Sequence, residues 1–176
     1  MKIEQLIIEY LSRSITDVFS TMLGVDLGMG EMSVENSAPE ANDGVVSFIG
    51  VAGSWVGTGS LTCSPVLACR ICEQMLMTET SAVNEEVLDA VAELTNMIVG
   101  SVKTELEKHL GPLGLSIPTV VFGRNFKTKS AGTNEWTVAR FHWDRELLLV
   151  KLCLAPKERA AHAVYHSIPQ ASGTEV

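Results

Sequence analysis

Glu93 and Asn96 stand three residues apart inside a stretch, Asn84 to Gly111, that is patterned as one long helix. At that spacing two side chains project together from one helix face. One is negatively charged, and the other is neutral and both donates and accepts hydrogen bonds. Gly100, one turn further on, would let a second surface come close to the helix backbone. Asn and Gly at a helix centre each cost up to ~1 kcal/mol relative to Ala. Packing does not account for them on a polar face, which makes the face a candidate for binding or chemistry. A Glu-x-x-Asn pair also arises on ordinary solvated helices, and taken alone it assigns no activity.

The helix that must carry these residues is legible from end to end. Asn84 can cap the first turn, and Glu85 and Glu86 add negative charge where the helix dipole favours it. Gly111-Pro112 ends it, Gly by a left-handed turn and Pro by forbidding continuation. Val87, Val91, Leu94, Ile98, Val102, Leu106 and Leu110 recur at steps of three and four, a core-facing stripe. On the opposite side, at ~100° per residue, Asp89, Glu93, Asn96, Gly100, Lys103 and Glu107 fall within ~40° of one line. Ala90, Ala92, Met97 and Val99 flank it.

Bulk composition narrows the classes. A chain of 176 residues suits one domain with a substantial core, and 46% hydrophobic with 19% charged residues is ordinary globular content. The net charge of -8 argues against nucleic acid or an anionic membrane as partner. Glu4 and Glu9 interrupt the apolar run that a signal peptide would need, and a cytoplasmic protein is expected. The uncharged stretch Gly44 to Cys69 is rich in Gly, Ser and Thr and contains Pro65, which suits strands and a turn better than a membrane helix. Cys63, Cys69, Cys72 and Cys153 are expected to be reduced and partly buried.

In chain order, residues 2–23 predict an amphipathic helix with Ile3, Leu6, Ile7, Tyr10, Leu11, Val18, Phe19, Met22 and Leu23 on one side and Gly24 at its end. Val25 to Asp43 is loop with a short edge strand near Met32 to Val34. Val45–Ile49 and Trp55–Thr62 predict a hairpin turning at Ala52-Gly53-Ser54. Its glycines lack the order and the following Lys of a phosphate-binding loop. Ser64-Pro65 starts a second helix to about Met77, with Val66, Leu67, Cys69, Ile71, Cys72 and Leu76 mostly inward. Cys69-x-x-Cys72 would bind zinc only with partner ligands, and His162-x-x-x-His166 lies ninety positions away, so no metal site is expected. Leu113 to Phe122 predicts a strand with a bulge or an edge at Pro118, and Trp136 to His142 another. Glu146 to Leu154 predicts a strand covered on both faces or one paired at an interface. The tail from Ala155 holds a short helix near Glu158 to Tyr165 at most. Helices alternating with groups of strands imply an α+β fold, with two halves that each run helix, strands, shorter helix.

The wider string around the pair is more specific. Asp89-x-x-x-Glu93-Leu94-x-Asn96-Met97-x-x-Gly100 is followed by Ser116-Ile117-Pro118-Thr119-Val120-Val121-x-Gly123-Arg124 and by Lys127-x-Lys129-Ser130-x-Gly132. Together they resemble the chemotaxis phosphatases of the CheX/CheC/FliY family, from the first helix to about Leu154. Only one Glu-x-x-Asn is present, and the first helix has Glu9-Tyr10-Leu11-Ser12 in its place, which matches the CheX pattern better than the two-motif CheC pattern. The resemblance implies a CheC-like fold over residues 1–154 with a tail over 155–176. It also implies an enzyme that dephosphorylates a CheY-type response regulator. Asn96 would then orient the attacking water, Glu93 would dock on a partner lysine, and Asp89, Met97 and Gly100 would lie in the interface. No cofactor would sit on this chain, and Mg²⁺ would belong to the phosphorylated partner. A homodimer through sheet edges, using the strand Leu147 to Leu154, is implied as well. The alternatives are a non-catalytic module that docks a response regulator or switch component on the same face, or a zinc- or thiol-dependent protein.

Overall fold

Three apolar-striped helices lie on one face of one antiparallel sheet in the computed structural model, which describes residues 2–36, 43–126 and 135–158. The first helix, α1 (Ile3–Val18), continues into a π-helical segment, Phe19–Leu23, closed by Gly24 at φ 65°. Leu6, Ile7, Leu11, Ile15, Val18, Phe19 and Leu23 are buried, whereas Met22, expected inward, is 53% exposed. The π-helical segment explains the miss: the extra residue per turn rotates Met22 off the stripe.

Strands β1 (Gly28–Glu35), β2 (Asp43–Gly53) and β3 (Trp55–Cys63) follow, then α2 (Pro65–Leu76) and α3 (Glu85–Leu110). Strands β4 (Leu113–Leu115), β5 (Thr119–Arg124), β6 (Trp136–Trp143) and β7 (Glu146–Pro156) complete the order. Ser64 Oγ accepts from the Leu67 N–H at 3.0 Å and starts α2 as the sequence implies. Val66 and Leu76, expected inward, are about half exposed, and the buried side of α2 is Leu67, Ala68, Ile71 and Cys72. A helix that buries only one side against its neighbours needs only a narrow apolar stripe.

The sheet order is β1-β6-β7-β3-β2-β4, with β5 also on β2. The halves α1-β1-β2-β3 and α3-β4/β5-β6-β7 meet at the central β3–β7 pair and exchange their outer strands: β1 joins β6, and β4 and β5 join β2. Strand β7 is therefore interior, paired on both sides by β3 and β6. The expectation that it forms an exposed edge is overturned; its apolar run belongs to a strand at the centre of the sheet. Leu148, Val150 and Leu152 enter the main core, while Cys153 joins Trp136 and Val138 in a small cluster on the face that carries no helix.

The strand expected over Leu113 to Phe122 breaks in two. Val51 opposes Leu115 and Phe48 opposes Thr119, so three residues, Ser116 to Pro118, face two, Ile49 and Gly50. That is a β-bulge, and Pro118 within it has no N–H to give the ladder. The outermost strands are β1 on one side and β4 with β5 on the other. The sites of Lys127, Lys129, Ser130, Gly132, His162 and His166, and the helix considered near Glu158 to Tyr165, lie outside the described residues.

The glycines of β3 serve packing. A Cβ on Gly57 would sit 1.9 Å from the Cys153 carbonyl oxygen, and one on Gly59 would sit 2.8 Å from Val99 Cγ2. Gly57→Ala should therefore push the central β3–β7 pair apart and cost about 1–3 kcal/mol, as overpacking typically does. Chemical denaturation at neutral pH measures this directly; an unchanged midpoint would contradict the packing assignment.

Candidate functional site

Helix α3 begins and ends as its sequence dictates. Asn84 Oδ1 accepts from the Val87 N–H at 3.0 Å, and Gly111 closes the other end at φ 79°. Val87, Val91, Leu94, Ile98, Val102 and Leu106 are buried, which fixes the rotation of the helix about its own axis. Behind the polar face, Ser14 Oγ of α1 donates to the Ile98 carbonyl at 2.9 Å, and buried Thr95 Oγ1 donates to Val91 at 2.7 Å. Hence the backbone that carries Glu93 and Asn96 is held from within.

The structure divides the polar line of α3 into two parts. In the C-terminal part, Lys103 Nζ lies 3.0 Å from Glu107 Oε2, and Glu107 Oε1 accepts from the Leu113 N–H at 2.8 Å. These bonds, that of the Leu113 N–H foremost, hold the Glu107 carboxyl below its usual range. Lys103 and Glu107 thus fasten β4 to the helix. The N-terminal part is different. Asp89 and Glu93 are exposed and Asn96 is half-buried, and among the described residues no hydrogen bond or ion pair engages their side chains.

Gly100 lies between the two parts. The Leu115 side chain of β4 reaches 3.8 Å from where a Cβ on Gly100 would be, an ordinary contact, so part of the room above Gly100 is filled from within the chain. Met97 is half-buried and packs against the main core. The five residues singled out in the sequence thus share a helix but not an environment: Asp89, Glu93 and Asn96 face outward, Gly100 borders β4, and Met97 is mostly packing.

Among the described residues, neither metal nor thiol chemistry has a built site. Among the described residues no group of three or more His, Cys, Asp or Glu is gathered as for a metal ion. Burial pushes the Cys63 thiol up to about 12 and the Cys153 thiol up to about 11, and raises Cys69 and Cys72 as well. Thiols so shifted stay protonated at neutral pH and are poor nucleophiles. The clefts at the α2–α3 connection, lined by residues such as Glu73, Thr80 and Ser81, do not include Glu93 or Asn96. An outward pair on a long helix suits a macromolecular partner better than a small enclosed substrate.

A helix-covered antiparallel sheet with exchanged edge strands and an outward Glu-x-x-Asn defines an α+β protein of the CheC-like class. A crystal structure of a CheC-like superfamily protein from Shewanella sp. PV-4 superposes with TM-score 0.76 at 25% identity, over 88% of this chain and 99% of that one. Residues 45–142 match the family model described as chemotaxis phosphatase CheX. The CheY-P phosphatase CheX of Thermotoga maritima is 31% identical over 128 residues, 72% of this chain and 81% of that protein. The chain belongs to the CheX family of chemotaxis phosphatases. The CheX of a CheX-CheY-BeF3-Mg²⁺ complex from Borrelia burgdorferi shares the fold, with TM-score 0.71 at 23% identity over 84% of this chain and 97% of that one.

A substitution at Gly100 separates helix stability from partner access. Gly100→Ala should raise stability by up to ~1 kcal/mol, because Ala is the better helix former and meets no clash. It should at the same time weaken partner docking, because the added methyl stands on the presented face. Thermal melting alongside a binding titration with a response regulator checks both; tighter or equal binding would remove Gly100 from the interface.

Proposed function

We propose that this chain accelerates hydrolysis of the aspartyl phosphate on a CheY-type response regulator, with Asn96 orienting the attacking water and Glu93 docking on a lysine of the partner. The observation that carries this reading is the unengaged Glu93/Asn96 pair on a rigidly held helix of a CheX-family chain. The chemistry asks little of this protein beyond placement. The phosphorylated aspartate and its Mg²⁺ belong to the partner, and the catalyst gains rate by fixing a water in line with phosphorus. An amide suits the task because it accepts a hydrogen bond from the water and donates one elsewhere, with no titration near neutral pH. Glu93, a turn away on the same face, supplies a charge whose pairing across the interface fixes the angle of approach. Asp89, Met97 and Gly100 border that contact.

The setting follows from the same reading. The protein acts in the cytoplasm, where response regulators are phosphorylated, and among the described residues no helix is long and apolar enough to cross a membrane. The phosphatase unit, expected over residues 1–154, takes in Ala155 and Pro156 as well, since β7 runs to Pro156 and pairs there with β3. A second copy of this chain is a further partner, paired through an outer strand, β1 or β5, since β7 is interior. Equilibrium sedimentation at micromolar concentration should then return a dimer, and a monomer would contradict it.

Asn96→Ala should leave folding nearly intact and lower the catalysed rate by ~10²-fold at saturating phosphatase, with docking preserved. Glu93→Ala should weaken docking as well, and the catalysed rate should require Mg²⁺ while varying little between neutral pH values. The measurement is phosphoryl decay of a phosphorylated CheY-type regulator, with and without each variant. Wild-type rates for Asn96→Ala would remove it from the mechanism and favour a non-catalytic docking module on the same face.

A further inference from the structure

We propose that Ile117, displayed on the β4–β5 bulge on the Asn96 side of Gly100, is an apolar anchor that sets where the response regulator sits on α3. This rests on the function proposed above and adds a positioning residue outside the helix. Ile117 is 89% exposed, the most exposed of the large apolar residues among those described. A single exposed apolar residue is ordinary on a protein surface, so its place and its support must decide the matter.

Its place follows from the path of the chain. After Gly111 the chain turns and runs back along α3: the Leu113 N–H meets Glu107 at 2.8 Å, and Leu115 reaches Gly100. A strand advances ~3.3 Å per residue and a helix ~1.5 Å. Two residues beyond Leu115, Ile117 therefore lies on the side of Gly100 toward which Asn96 and Glu93 stand. Strand β5 then continues along the sheet and also packs against α3.

Its support is specific. The Ser116 N–H donates to the Gly50 carbonyl at 2.9 Å, and Ser116 Oγ accepts from the Gly50 N–H at 2.8 Å. One residue thus satisfies both groups of Gly50 and pins the bulge, while Pro118 restricts the chain on the other side. Such bulges re-aim a side chain that a regular strand would have placed in the ladder. Ile117 is in this way held outward before any partner arrives, which lowers the ordering cost of using it. Phe122, half exposed and sharing the helix-side face of the sheet with Val45, extends the apolar character along the same edge. An apolar anchor beside a polar, function-bearing pair is the usual anatomy of an interface centre.

The partner this surface fits is a folded receiver domain that offers an apolar patch next to its phosphorylation pocket and a lysine within reach of Glu93. Ile117 touches neither water nor phosphorus, so its effect belongs in KM and not in kcat. Ile117→Ser should raise KM for the phosphorylated regulator about tenfold and leave kcat within about twofold, while Ile117→Val keeps most of the affinity. Binding of the unmodified and variant chains to a beryllofluoride-activated CheY-type regulator should show the same tenfold loss. The melting temperature should not move, because the side chain lies outside the core. An unchanged KM for Ile117→Ser, or a fall in kcat alone, overturns the proposal even if Asn96→Ala is slow. If Asn96→Ala also keeps wild-type rates, the function proposed above fails and Ile117 loses its role with it.

Discussion

Burial of the α3 stripe is the constraint on which the functional face depends. Six side chains, Val87, Val91, Leu94, Ile98, Val102 and Leu106, leave water together, each worth about 1.5–3 kcal/mol by transfer. No rotation of the helix keeps all six inside except the one observed. Because side chains step by ~100° per residue, that same rotation points Asp89, Glu93 and Asn96 outward. The unfavourable choices on the outer face, an Asn and a Gly at mid-helix, are small against this term and can be kept for function. Ser14, reaching from α1 to the Ile98 carbonyl, and the Thr95 bond to Val91 hold the backbone at the same height as the pair.

The exchange of outer strands between the two halves supplies the rest of the site. Because β4 and β5 leave their own half and add to β2, the chain after α3 must double back along that helix. Lys103 and Glu107 are spent on holding this return in place, through each other and through the Leu113 N–H. The bulge at Ser116 to Pro118 then absorbs the mismatch between β4 and β5 on β2, and leaves Ile117 exposed. The same architecture treats α1 alike: Glu9 is exposed and Ser12 half-buried, as Glu93 and Asn96 are. Ser12 offers a shorter hydroxyl where α3 has an amide.

Helices, strand order along the chain and the Glu93/Asn96 pair were legible in the sequence because each is written in local periodicity or capping. The 3.6-residue stripe of α3, Asn84 at its start and Gly111-Pro112 at its end involve residues within one or two turns of each other. Where an element departs from regular geometry the same rules failed. Met22 sits on a π-helical segment and is exposed, and Val66 and Leu76 lie off the narrow stripe that α2 presents to the sheet.

Pairing between distant strands was not legible, since an apolar run states that a strand is covered but not by what. Leu147 to Leu154 carried that ambiguity, and only the tertiary structure made β7 the sheet centre, with β3 and β6 on either side. The polar line of α3 was likewise one uniform set in sequence. Folding separated Lys103 and Glu107, engaged by β4, from Asp89, Glu93 and Asn96, which no described residue engages. Spacing alone determined which side chains share the helix face. Which of them stay free for a partner was decided by what the returning chain reached, a contact between residues that helical periodicity does not encode.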